Sequence, residues 1–137
     1  MKLWISGEIS HEVGDVFRQA MLTVEKEINL AIDDRAYDLP LDGWDCIAII
    51  RDDVHFAERT RYSRANRDMD FRLGVDFEAF RTATSHGREA LLYRMLLRSL
   101  AILRMKRLPA EPLDQLEADV RAVGRRCGWE QPRQPSS

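Results

Sequence analysis

The nine residues MDFRLGVDF, from Met69 to Phe77, alternate without a break between apolar and polar. Met69, Phe71, Leu73, Val75 and Phe77 fall on one side, and Asp70, Arg72 and Asp76 on the other. A period of two fits a β-strand with one face on a core and one in water. Such a strand needs neighbouring strands and a cover for its apolar face.

Both are found in the rest of the chain. KLWISGEI, residues 2–9, also alternates, with Leu3, Ile5 and Ile9 opposite Trp4, Ser6 and Glu8. WDCIAII, residues 44–50, is nearly continuous apolar sequence, the pattern of a central strand covered on both faces. Ser10 suits a helix N-cap. After it Val13, Val16, Phe17, Ala20, Val24, Ile28 and Ala31 form one helical stripe, predicting a helix that ends near Arg35. A second helix, from Ser85 to about Arg107, has a wide apolar face that includes Leu92, Leu96, Leu100 and Leu103. Pro109 and Pro112 stop it and start a third, whose stripe is Leu113, Leu116, Val120, Val123 and Cys127, with Gly128 as terminator. Residues 51–66 read as a long charged loop, and QPRQPSS (131–137) as a disordered polar tail behind a single domain of residues 1–130. The order β-α-β-β-α-α predicts an α+β fold: a small, about three-stranded sheet with helices packed on one face. The first helix would carry a parallel crossover, and the third strand would run antiparallel to the second.

A chain of 137 residues can bury roughly two-thirds of its unfolded surface, so neither disulfides nor a metal are needed to fold it. Cys46, inside an apolar run, and Cys127, on a helix stripe, read as small core hydrophobes. No apolar run approaches the ~20 residues that span a bilayer, and MKLWISGEISHE lacks the form of a secretory signal, so a cytoplasmic location is expected. His11, His55 and His86 stand far apart, and there is no CxxC pair, P-loop, GxGxxG or GxSxG. Asp68 and Asp70 make a D-x-D, a pattern common by chance. No metal, no cofactor and no catalytic residue is expected, and the chain does not read as an enzyme.

Charge is the sequence's other strong signal. Residues 1–58 hold 13 acidic and 5 basic residues, and residues 59–137 hold 10 acidic and 16 basic. DDRAYDLPLDGWD packs Asp33, Asp34, Asp38, Asp42 and Asp45 around Tyr37 and Trp44, with Asp52 and Asp53 beyond the next strand. Two readings stand beside each other. Exposed like-charge pairs cost only tenths of a kcal/mol each, so the fold can carry the patch without a partner. Alternatively the carboxylates steer a basic protein, with Tyr37 and Trp44 as anchors, although Trp44 can equally turn into the core. ERTRYSRANRD sets Arg59, Arg61, Arg64 and Arg67 around Tyr62. Arginines beside an aromatic can bind phosphate and stack bases. A small nucleic-acid-binding or regulatory protein acting through loop 59–67 is therefore the competing class.

The phrases MKLWISGEI, VGDVFRQA with VEKEIN, DFRLGVDF and LLRSL, in that order over residues 1–107, resemble the immunity protein 44 family of bacterial polymorphic-toxin and contact-dependent growth inhibition systems. The resemblance implies a small cytoplasmic protein that binds one cognate toxin domain and blocks it. It brings no functional residue: Gly7, Glu8, Arg72 and Arg98 lie in phrases that look structural. A basic toxin C-terminal domain, a nuclease, would meet Asp33, Asp34, Tyr37, Asp38, Asp42, Trp44, Asp45, Asp52 and Asp53 without nucleic acid or membrane taking part.

Overall fold

The structure, a computed structural model, describes residues 1–8, 12–51, 59–63 and 67–130. Strand β1 (Lys2–Glu8) leads through helix α1 (Gly14–Ile32) to β2 (Gly43–Arg51). Then come β3 (Arg59–Ser63), β4 (Asp68–Asp76), the short α2 (Phe77–Thr82), α3 (Ser85–Arg104) and α4 (Ala110–Cys127). The α+β class and the helix-covered sheet are as the sequence predicts. Ser10, the expected cap of the first helix, and the tail 131–137 lie outside the described residues.

The sheet has four strands in the order β1-β2-β4-β3. The expected crossover is present, with β1 parallel to β2. Two expectations are corrected. The third predicted strand, β4, is parallel to β2 and not antiparallel to it. The stretch read as a charged loop contributes β3, which pairs antiparallel with β4. The two corrections have one cause. A parallel pairing needs a crossover of about a dozen residues or more, and the segment between β2 and β4 is long enough to supply one while laying a strand on the far edge. The strand expected to reach Phe77 ends at Asp76, whose carboxylate accepts a hydrogen bond from the Ala79 N–H and so caps α2.

Leu3 and Ile5 of β1, Trp44, Cys46, Ala48 and Ile50 of β2, and Met69, Phe71, Leu73 and Val75 of β4 point into one core. The α1 stripe (Phe17, Ala20, Val24, Ile28 and Ile32) and Leu92, Leu96, Leu100 and Leu103 of α3 cover that face. α4 lies on α1 and α3 as a further layer. The chain after it turns at Gly128, whose positive φ of 73° suits a residue without Cβ. The turn returns Trp129 onto Tyr93 of α3, with the ring centroids 5.8 Å apart. Both cysteines are free. Burial pushes the Cys46 thiol up to about 12, which keeps it a neutral core group.

The outer edge of β1 is closed by side chains of α1. Asn29 accepts from the Leu3 N–H and donates to the Leu3 carbonyl, both at 2.8 Å. This pairing imitates a neighbouring strand and blunts an otherwise open edge.

Candidate functional site

The distinctive feature lies on the sheet's second face, opposite α1 and α3. Because side chains alternate, the β2 residues opposite the core are Asp45, Ile47 and Ile49, and those of β4 are Asp68, Asp70, Arg72 and Gly74. The expectation that β2 is covered on both faces holds in part: on this second face Gly43 and Ile49 are buried, while Asp45 and Ile47 are half-buried.

Register fixes how these residues meet. Trp4 pairs with Asp45, and Asp45 with Asp70, so the three form one row across β1, β2 and β4. One row nearer the strand starts, Lys2, Gly43 and Asp68 form another. Oxygens of Asp45, Asp68 and Asp70 converge within 4.8 Å of one another. Burial, a hydrogen bond shared with Asp70 and the charges of Asp70 and Asp68 push the Asp45 carboxyl up from 3.8 to about 6. The Asp45 carboxyl thus ionises only against the field of its two neighbours. The spacing would also admit a cation, and among the described residues no histidine, cysteine or further carboxylate joins the three.

Trp4 lies beside the carboxylates and is 45% exposed. A Cβ on Gly43 would stand 3.0 Å from the Trp4 ring and 3.2 Å from the Asp68 Cβ. The glycine thus leaves the space through which the indole leans across β2 toward Asp68. The Lys2 ammonium is 6.0 Å from the ring centroid, at the outer limit of a cation–π contact. On the far side, β3 sets Arg61 opposite Asp70 and Arg59 opposite Arg72 in register.

The residues singled out in the sequence separate into groups. Asp33, Asp34 and Asp38 are exposed. Asp33 and Asp34 sit at the C-terminal, electronegative end of α1, where they add to the helix dipole. Asp42 is exposed but ion-paired to Arg67, with Nε to Oδ2 at 2.8 Å. Asp45 leaves this loop and joins the sheet cluster with Asp68 and Asp70. Asp52 and Asp53 lie outside the described residues. The two aromatics expected as anchors are both buried. The Trp44 indole is buried and donates to the Ser99 hydroxyl at 3.0 Å. The Tyr37 ring is buried, and its hydroxyl donates to Asp119 at 2.6 Å. Burial first and then that carboxylate raise the Tyr37 pKa far above the ordinary phenol value. Among the loop arginines, Arg67 is held by Asp42, and Arg59 and Arg61 lie in β3.

Sequence reasoning did not bring Trp4, Asp68 and Asp70 together with Asp45. The signal was present in part, since all three sit at polar positions of alternating strands, but bringing them together requires the β1-β2-β4 order. A groove of about 320 Å³ between β4 and α3 is lined by Leu73, Val75, Leu91 and Met95, with Asp76, Arg94 and Arg98 around it. Its carboxylate, Asp76, is engaged as the α2 cap. It does not assemble the base and nucleophile pair of a hydrolase.

Fold and site together define a small α+β protein whose distinctive surface is an acidic, aromatic-edged sheet face with no catalytic constellation among the described residues. The chain belongs to the immunity protein 44 family, whose model matches residues 1–125. No curated protein and no solved structure matches it. No helix among the described residues is long and apolar enough to cross a membrane.

Proposed function

We propose that this chain neutralises a cognate bacterial toxin domain, a nuclease, by direct stoichiometric contact in the cytoplasm, without catalysis and without a cofactor. The observation that carries this reading is the family match over residues 1–125 of a 137-residue chain. The chemistry of such a target supports it. An enzyme that cleaves nucleic acid must hold a phosphate backbone, so its active-site groove is basic. The exposed carboxylates Asp33, Asp34 and Asp38, with Asp45 on the sheet, set negative potential at the end of the molecule where α1 ends and β2 and β4 begin. Such a surface speeds encounter with a basic groove and competes there with phosphate.

The test is a titration. The C-terminal toxin domain from the neighbouring reading frame is incubated with increasing amounts of this protein, and cleavage of RNA and DNA is followed. Inhibition should be complete at one equivalent. Unchanged cleavage would refute the reading, and complete inactivation by a small fraction of an equivalent would show an enzyme instead. The nucleic-acid-binding alternative predicts retention of mixed RNA or DNA at physiological salt; the account here predicts none.

A further inference from the structure

We infer that the open sheet face is the toxin-anchoring surface, and that Trp4, Asp45, Asp68 and Asp70 together receive a lysine or arginine side chain of the toxin domain. This deepens the proposed function and rests on it. It also moves the anchor from the loop aromatics, which are buried, to residues on three strands.

Four features of the face point to a basic protein as its occupant. α1 and α3 lie on the opposite face of the sheet, and at the strand starts of this one Trp4 is 45% exposed and Asp45, Asp68 and Asp70 are half-buried. Its three carboxylates converge, and no ion pair to any of them occurs among the described residues; an incoming cation removes their mutual repulsion while it forms its own hydrogen bonds. Trp4 is an exposed aromatic in the same row as Asp45 and Asp70, and an indole beside carboxylates suits a guanidinium or ammonium group. Finally, the cluster lies at the same end of the strands as Asp33, Asp34 and Asp38, so steering charge and anchor share one approach. In register, Lys2 lies in the row of Asp68, and β3 places Arg61 opposite Asp70 and Arg59 opposite Arg72. Lys2 reaches the Trp4 ring only at 6.0 Å, a contact that a better-placed partner cation displaces.

The chain carries its own reporter. Of its three tryptophans, Trp44 is 2% exposed and Trp129 1%, against 45% for Trp4, so acrylamide quenches Trp4 selectively. The probe is the purified C-terminal toxin domain from the neighbouring reading frame, made free of tryptophan or labelled so that its emission is separable. One equivalent should abolish the quenchable component. Trp4→Ala should speed dissociation about tenfold or more, the effect of removing a central aromatic anchor. Asp68→Asn with Asp70→Asn, which keep side-chain shape, should slow association about tenfold, with folding verified by near-UV circular dichroism. Full quenching of Trp4 in a complex that still forms, or variant kinetics within twofold of wild type, would overturn this inference and leave the proposed function standing. Absence of any complex with the wild-type protein would overturn both. A rise in melting temperature with Mn²⁺ or Ca²⁺ alone, abolished in the double variant, would assign the carboxylates to a metal and overturn it as well.

Discussion

Replacing Asp45 with asparagine should make the protein more stable and a poorer inhibitor. The carboxyl rises from 3.8 to about 6 because burial, the shared hydrogen bond and the charges of Asp70 and Asp68 all oppose its ionisation. Each unit of pKa difference between folded and unfolded chain is worth about 1.4 kcal/mol, so full ionisation costs about 3 kcal/mol. Asp45 is only half-buried, and solvent screening at such a position reduces the figure to about 1–2 kcal/mol. The sign follows from proton linkage. The folded chain holds this proton more tightly than the unfolded chain, so the favourable contribution is complete below 3.8 and is lost as pH rises through about 6. Asp45→Asn removes the penalty of the ionised form. Urea unfolding at pH 7 should show a gain of about 1–2 kcal/mol, shrinking toward zero by about pH 4, while affinity for the toxin domain falls. A variant no more stable than wild type at pH 7, or a gain that persists unchanged at pH 4, would refute the reasoning about the cluster.

Three further outcomes concern the scaffold. Ser99→Ala leaves the buried Trp44 N–H without its acceptor and should cost about 1–3 kcal/mol in chemical denaturation. Gly124→Ala should destabilise by about 1–3 kcal/mol despite alanine's better helix propensity, because a Cβ there overlaps the buried Tyr93 ring; a gain in melting temperature would contradict this packing. Asn29→Ala removes both hydrogen bonds to Leu3 and should lower stability by about 1–2 kcal/mol and expose the β1 edge, seen as faster amide exchange at Leu3 and increased aggregation.

Local periodicity carried most of the architecture. The stripe of Phe17, Ala20, Val24 and Ile28, the alternation from Met69 to Val75 and the Leu113–Leu116–Val120–Val123 spacing each lie on the core side, because one-dimensional pattern and burial are directly linked within an element. Strand order and direction were legible only for β1 and β2, whose intervening helix marks a parallel crossover; the rest of the pairing depends on contacts distant in sequence. That is why β3 was hidden in a charged stretch and β4 was expected antiparallel. The site suffered from the same limit. The run around Asp33–Asp45 stood out by composition, yet its Trp44 faces the core and its Asp42 is paired with Arg67. Asp68 and Asp70 looked like a chance D-x-D until β2 placed Asp45 beside them. Trp4 gave no composition signal, and its position depends on the glycine at 43 on the neighbouring strand β2, about forty residues away in sequence.

The central claim is that opposite charge brings this protein to a toxin and holds it there. The association rate constant with the C-terminal toxin domain, measured by stopped flow across a range of salt concentrations, tests it most directly. The account predicts a fast rate that falls steeply with added salt, with a much shallower slope once Asp45, Asp68 and Asp70 are all asparagine. A rate independent of salt, or a slope unchanged in the triple variant, would contradict it.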